Sequence, residues 1–131
     1  LDSPAAQRNK EPIWQILVQN VFSVAPNRPL RILQIAEGSG VHVSHFATRL
    51  ASSTREKFLW YPTDCDPASR ASIAAYIQDE QLDQIGVQPH LPLTLDVNGI
   101  QESSTLAKVS AAPLDLILCI NMIHISPWDA T

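Results

Sequence analysis

The run Leu30-Arg31-Ile32-Leu33-Gln34-Ile35-Ala36, followed at once by Glu37-Gly38-Ser39-Gly40, constrains this chain more than any other stretch. The mostly apolar run reads as a buried strand. Two of the four glycines in the chain then stand at Gly38 and Gly40. Behind them Val41, Phe46, Ala47 and Leu50 recur at helical spacing, to about Ala51. A strand that turns through glycines straight into a helix opens a parallel α/β unit, because both faces of such a strand must be covered.

The rest of the chain repeats the pattern. Residues 58–61 read as a second strand, closed by Pro62 and followed by Thr63-Asp64-Cys65-Asp66-Pro67. A helix is expected over about 67–81, with Ile73, Ala74 and Ile77 inward. A third strand is expected over 91–97, although Pro92 sits inside it, with Asp96 at its end. Residues 103–110 suggest a short helix, and 114–120 the clearest buried strand, ending at Asn121-Met122-Ile123-His124. Ahead of the first strand, residues 1–10 are polar. Glu11-Pro12 then predicts a helix start, with Pro12 in the first turn and Ile13, Ile16, Leu17 and Val21 on one face to about Phe22. The order is α-β-α-β-α-β-(α)-β. It predicts one α/β domain over 1–131: a mostly parallel sheet of about four strands, helices on both faces, and right-handed crossovers.

Composition removes several classes of function. At 45% hydrophobic and 17% charged, the chain is globular rather than disordered. Nine Lys and Arg against thirteen Asp and Glu give a net charge of −4, which disfavours general nucleic-acid binding through a basic surface. Cys65 and Cys119 make no CxxC pair and no disulfide framework, so both are expected as reduced thiols. No apolar run approaches the roughly 20 residues of a membrane span. Leu1-Asp2-Ser3-Pro4 lacks the basic and apolar parts of a signal peptide, so the cytoplasm is the default expectation. The absence of an initiator Met suggests a trimmed or partial product.

In an open α/β sheet, ligands bind beyond the carboxyl ends of the strands. Four groups of residues follow strands. Gly38 and Gly40 permit a tight turn and a close ligand approach, though a plain strand-to-helix turn also uses glycine. Asp64 lies 26 positions after Gly38, near the spacing at which a carboxylate takes a ribose diol. Asp66 competes at the same tip, but Asp66-Pro67 is well explained as a helix N-cap. Asp96 can accept from an adenine amino group, or be a turn aspartate before Asn98-Gly99. Asn121 can hold an amino or backbone group of a ligand. His124 can be a general base or substrate contact, or a surface histidine.

Three stretches carry a family resemblance: Ala6-Gln7-Arg8-Asn9-Lys10-Glu11-Pro12-Ile13, Ile35-Ala36-Glu37-Gly38-Ser39-Gly40-Val41-His42, and Leu116-Ile117-Leu118-Cys119-Ile120-Asn121-Met122-Ile123-His124-Ile125-Ser126-Pro127. They resemble the DUF938 family, which includes methyltransferase-like protein 26, among the class I S-adenosylmethionine-dependent methyltransferases. The resemblance covers nearly the whole chain, but only the N-terminal part of the family domain. It implies a Rossmann-like sheet and bound S-adenosyl-L-methionine. Gly38 and Gly40 would line the methionine end, Asp64 would take the ribose and Asp96 the adenine edge. Arg8 and Asn9 would close over the site from the N-terminus, and Arg8 or Lys10 would meet the cofactor carboxylate. Read without the resemblance, that triplet is a solvated polar arm.

The chain departs from the family pattern at two positions and in length. Gln34 stands where an acidic residue usually reaches the ligand amine, and Ala36 where a first glycine is common. Gln34 accepts a hydrogen bond but supplies no charge, so Glu37 compensates or binding is weak. The family fold, of strand order 3-2-1-4-5-7-6, continues past the fourth strand. Here that strand would be an exposed apolar edge, and self-association through it is expected.

Other readings fit less well. A dinucleotide fingerprint would need Gly or Ala where Val43 stands. Ser39 lacks the glycine flanks of a nucleophile elbow. No P-loop occurs. His42 and His45 stand three apart on one helix without a tight ligand partner, so no metal site is expected. The main rival is a truncated, catalytically inactive domain that binds cofactor or protein. If the chain is active, the reaction is in-line methyl transfer from a sulfonium, resting on positioning and water exclusion. His124 is then the candidate base. The acidic charge, and the lack of an Asn-Pro-Pro-aromatic run after the fourth strand, tilt the unidentified acceptor toward a small molecule or protein.

Overall fold

In the computed structural model, which describes residues 3–53, 57–88, 94–96, 104–109 and 111–120, strand β1 (Leu30–Ile35) lies between two parallel neighbours. They are β2 (Phe58–Pro62) and β3 (Leu116–Cys119), in the order β2-β1-β3. Ile32 pairs with Trp60 on one side and Leu116 on the other. A further parallel bridge joins Trp60 to Val87 on the outer flank of β2. There the Trp60 N–H donates to the Gly86 carbonyl and the Gln88 N–H to the Trp60 carbonyl, both at 2.9 Å.

The expected third strand is therefore misplaced in part. The chain reaches the flank of β2 at Val87, ahead of the expected 91–97. Within that range residues 94–96 are not a strand, and the others lie outside the described residues. Gly86 explains the early approach. Its φ is +128°, and a Cβ there would stand 2.3 Å from the Phe58 carbonyl oxygen. Only glycine lets the chain come this close.

Alternation along the strands divides the core between two faces. Leu30 and Ile32 share one face with Phe58, Trp60 and Leu118. Helices α1 (Pro4–Leu17), α2 (Val41–Ala51) and α3 (Pro67–Asp79) cover this face with Trp14, Leu17, Phe46, Ile73 and Ile77. Phe46 stands between two tryptophans, 6.3 Å from Trp14 and 6.3 Å from Trp60. Burial of each such ring is worth about 2–3 kcal/mol. Leu33 and Ile35 look the other way, toward Leu95, Tyr61 and Val109 of α4 (Ser104–Val109). The result is a parallel α/β sheet with helices on both faces. No helix among the described residues is long and apolar enough to cross a membrane. Cys65 and Cys119 are exposed and form no disulfide.

The first helix differs from expectation. It starts at Pro4, so residues 4–10 form its opening turns and not an arm. Pro12 sits in its interior. The buried face is Ala6, Trp14 and Leu17, whereas Ile16 is 60% exposed. Pro12 is tolerated because it lies on the solvent side, where water can satisfy the Arg8 carbonyl left without its helical donor. A wide turn, Val18–Phe22, follows α1, with the Ser23 N–H on the Val18 carbonyl at 3.0 Å. This turn shifts the helical phase and buries Phe22 instead of Val21.

At the other end of the sheet Asp115 ties β3 to β1. It accepts two bonds from the Arg28 guanidinium, at 3.0 and 2.5 Å, and one from the Arg31 N–H at 2.9 Å. The Arg28 bonds, first among its causes, hold its carboxyl below the ordinary range.

Replacing Pro12 with Ala restores a donor to the Arg8 carbonyl. Pro12→Ala is expected to stabilise the chain by about 1–3 kcal/mol in urea unfolding. A loss of stability would mean that the break in α1 is needed to seat Trp14.

Candidate functional site

Beyond β1 the backbone adopts left-handed conformations at alternate residues. Ala36 has φ 53°, Gly38 φ 80° and Gly40 φ 100°. The end of β2 holds this turn in place. The Thr63 N–H and hydroxyl both donate to the Gln34 carbonyl, at 2.9 and 2.7 Å. The Glu37 N–H donates to the Thr63 carbonyl at 3.1 Å. Asp64 completes the clamp: one carboxylate oxygen accepts the Gly38 N–H and the other the Asp66 N–H, both at 2.9 Å. From α3, Ser72 donates to the Ser39 carbonyl at 2.5 Å.

The two glycines do different work. A Cβ on Gly38 would meet nothing within 4 Å, so this position faces open space. A Cβ on Gly40 would lie 2.6 Å from the Tyr76 ring and 3.2 Å from the Ile73 Cα. Gly40, expected beside a ligand, is where α3 packs against the turn. Ala36 takes the same left-handed conformation without being glycine, at a cost of about 1–2 kcal/mol.

Gly40 is also the N-cap of α2 and has no side chain to serve the first turn. Glu37 reaches across instead. Its Oε1 accepts the Val43 N–H at 3.0 Å. The residue is 6% exposed, and its Oε2 is buried with no hydrogen-bond partner. Burial pushes its pKa up to about 7, opposed by the N–H groups of Val43, Gly40 and His42 and reinforced by the charge of Asp64.

His42, one residue into the same helix turn, is also buried. Its Nε2 meets the Asn9 side-chain oxygen at 2.7 Å, so the ring donates to α1. Burial, and then the charge of His45, lower its pKa to about 4, and the ring is neutral at pH 7. His45 turns to Glu11 at 2.8 Å, which Arg49 also meets at 2.8 Å. The two histidines thus serve two separate contacts with α1.

The remaining candidates divide. Gln34 is 1% exposed, and its side-chain oxygen accepts from the Trp60 indole at 3.0 Å. It supports the turn from the core. Arg8 is exposed on α1, and Lys10 bonds to Gln7 at 2.7 Å. Asp66 caps α3 through the Ser69 N–H at 2.8 Å. Asp96 is exposed and close enough to Cys65 to act on it. Burial raises the Cys65 pKa first, then the charges of Asp64, Asp96 and Asp66. The charges of three carboxylates, Asp64, Asp66 and Asp96, thus all act on Cys65, just after β2. Asn121 and His124 lie outside the described residues.

A cleft of about 320 Å³ between α1, α2 and α3 was not anticipated. Several of its polar groups are already paired: Ser44 with Glu80, Lys10 with Gln7, and His45 and Arg49 with Glu11. The role of Glu37 did leave a sequence signal. A helix that begins just after a glycine needs an outside acceptor for its first N–H groups.

The model of the family described as "Protein of unknown function (DUF938)" matches residues 2–131. Among solved structures the chain is similar to the DszA carbon methyltransferase, with a TM-score of 0.57 at 20% identity, over 95% of this chain and 30% of that one. It is also similar to the CurJ carbon methyltransferase, with a TM-score of 0.55 at 20% identity, over 92% of this chain and 31% of that one. The chain thus spans less than a third of either neighbour. The likeness is one of fold: part of a Rossmann-like α/β domain.

Two expectations follow from the turn. Ala36→Gly removes the left-handed strain but loosens the unfolded chain, for a net gain of up to about 1 kcal/mol in urea unfolding. Ala36→Val, with a branched Cβ, is expected to lose about 1–3 kcal/mol.

The second concerns pH. Glu37, raised to about 7, stabilises the fold fully below about pH 4.5, and this contribution is lost as pH rises through 7. His42, lowered to about 4, stabilises it above about pH 6.5, and this is lost as pH falls through 4. Between pH 4.5 and 6.5 the two slopes oppose each other, each about 1.4 kcal/mol per pH unit. Relative to the parent chain, Glu37→Gln is expected to gain stability as pH rises through this window, and His42→Gln to lose it. Equal slopes in all three proteins, measured by urea unfolding, would refute the assignment.

Proposed function

The chain belongs to the DUF938 family, and on that footing we propose that it binds S-adenosyl-L-methionine and transfers its methyl group to a small-molecule or protein acceptor. The observation that carries this reading is the junction at Gly38, whose N–H is held by Asp64 and whose other side is open. The fold likeness to two carbon methyltransferases supports it.

The residues fit such a ligand. Each oxygen of Asp64 accepts one backbone N–H and keeps a second lone pair for a ribose hydroxyl. Asp96, exposed at the same tip, suits the adenine amino group. The gathered charges of Asp64, Asp66 and Asp96 favour a cation such as a sulfonium. Asn9 steadies the first turn of α2 through His42, while Arg8 remains available to a carboxylate. The cofactor, when bound, supplies an electrophilic methyl group. The chain's part is to position the reactants and exclude water. Asn121 and His124 follow β3 in sequence. Asn121 is proposed as a ligand contact, and His124 as the base where the acceptor must lose a proton.

A second reading, cofactor binding without catalysis, draws on Gln34, whose carboxamide is spent on Trp60 and brings no charge to the ligand. Methyl transfer to any acceptor would exclude it.

Isothermal titration tests the proposal. Saturable binding of S-adenosyl-L-methionine and S-adenosylhomocysteine, but not NAD, is expected. Asp96→Ala is expected to weaken that binding about tenfold, the loss of one good hydrogen bond to a charged group. Failure of the folded chain to bind either sulfur ligand would sink the reading.

A further inference from the structure

We propose that the cleft between α1, α2 and α3 is a ligand site separate from the turn after β1, and that it takes a small zwitterion with an ammonium group at one end and a carboxylate at the other. The inference does not depend on methyl transfer. None of the residues lining this cleft comes from the turn at 36–40 or from the end of β2 at 63–66.

The cleft follows from how three helices pack. α1 and α3 each pack against α2. α2 turns Val43, Phe46, Ala47 and Leu50 into the core, and its other side becomes the floor between its two neighbours. α1 supplies one wall with Gln7 and Lys10, and α3 the other with Tyr76 and Glu80. The enclosed volume, about 320 Å³, is that of a small-ligand pocket.

Charge is sorted by wall. On the α1 side His45 and Arg49 both meet Glu11 at 2.8 Å, so the Arg49 guanidinium already has its counter-charge. Lys10 has only the neutral side chain of Gln7, at 2.7 Å, and two of its three donors remain. It is the uncompensated cation. On the α3 side Glu80 accepts the Ser44 hydroxyl through Oε2, and among the described residues it forms no ion pair. It is the uncompensated anion. Lys10 and Glu80 thus line one cleft without pairing with each other. A ligand carboxylate on Lys10 and a ligand ammonium on Glu80 would complete both.

This balance selects among ligands. Phosphate would answer Lys10 but meet the Glu80 carboxylate. A simple amine would answer Glu80 but meet the Lys10 ammonium. A molecule with both signs gains at each wall and is repelled at neither.

The lining is also held in advance. Ser44, 8% exposed, holds Glu80 from the floor, and Gln7, one turn before it, holds Lys10. Arg49 lies over the Trp14 ring, 5.5 Å from its centroid, and on Glu11. The Tyr76 ring is packed against Gly40, where a Cβ would stand 2.6 Å from it. Side chains ordered by the fold lose less freedom when a ligand arrives.

Amide NMR of the unaltered chain tests the site. The probes are glycine, 4-aminobutanoate and 6-aminohexanoate, which set the two charges progressively farther apart. Butanoate and butylamine, with one charge each, are the comparisons. One of the zwitterions should bind with a dissociation constant of about 1 mM or tighter, and shift the signals of Ser44, Thr48 and Tyr76. The one-charge probes should bind at least about tenfold more weakly. Glu80→Gln keeps an acceptor for Ser44 without the charge, and Lys10→Gln removes the cation from the other wall. Each should weaken the zwitterion about tenfold. The site is overturned if no zwitterion binds at about 20 mM, or if the shifts fall only outside the cleft. It is equally overturned if a one-charge probe matches the zwitterion, or if both variants bind like the unaltered chain. The one-charge comparison uses the unaltered chain alone, so it decides the matter even if a variant does not fold.

Discussion

The junction between the first two strands depends on the carboxylate of Asp64. Three left-handed residues in five cannot hold themselves in place, because they form no helix or ladder of their own. The end of β2 supplies what they lack. Thr63 takes the Gln34 carbonyl and offers its own to Glu37, while Asp64 takes the Gly38 N–H. Each bond is worth about 1 kcal/mol net, enough together to hold Ala36 in a conformation it disfavours. The turn after β1 is therefore a product of β2 lying beside it. α2 can start at Val41 only because this turn aims Glu37 at its first N–H groups.

Burial then decides the chemistry of the groups beneath the turn. At 1% exposure, a carboxylate at position 34 would be a buried charge with only the Trp60 indole N–H as a donor. Gln34 avoids that cost and satisfies the Trp60 indole. Glu37 and His42 do not avoid it, and each is driven toward its neutral form. Because one is an acid and the other a base, their proton linkages act in opposite directions over nearly the same pH range. A buried ionisable pair can thus sit at this junction without making the fold strongly sensitive to pH.

Much of this arrangement is legible in the sequence where apolar spacing governs. β1, α2, β2, α3, α4 and β3 lie close to their expected ranges, but β3 is not the buried strand expected: of its residues only Leu118 is buried, and Ile117 is 59% exposed. The start of α1 is hidden because Pro12 resembles a helix start. Trp14 and Leu17 gain more from burial than the proline costs on an exposed face. Val87 is hidden because a single bridge after a glycine carries no strand pattern. At the site, Gly38 and Asp64 are recognisable by spacing, but their mutual bond is not. The packing reason for Gly40 resides in Tyr76 and Ile73, far along the chain. Glu37 is the instructive case. In the sequence it reads as an acidic site residue that compensates for Gln34, and the structure adds that one of its oxygens caps α2 while the other is left over.

The same bonds that build the turn also fix the side chain of Asp64. An aspartate that must be ordered on binding costs up to about 1 kcal/mol or more in lost rotamer freedom. Asp64 has already lost that freedom to the Gly38 and Asp66 N–H groups, and each of its oxygens keeps a lone pair. The folded chain therefore bears the ordering cost in advance, from the hydrogen bonds of the junction. Glu37 is the converse: its second oxygen is held in place but left without a donor, and the fold carries that deficit. A deficit of this kind persists only where the surrounding structure fixes the group. Here the cap on α2 fixes it: the bond from Val43 that starts the helix also holds the second oxygen where no donor reaches it.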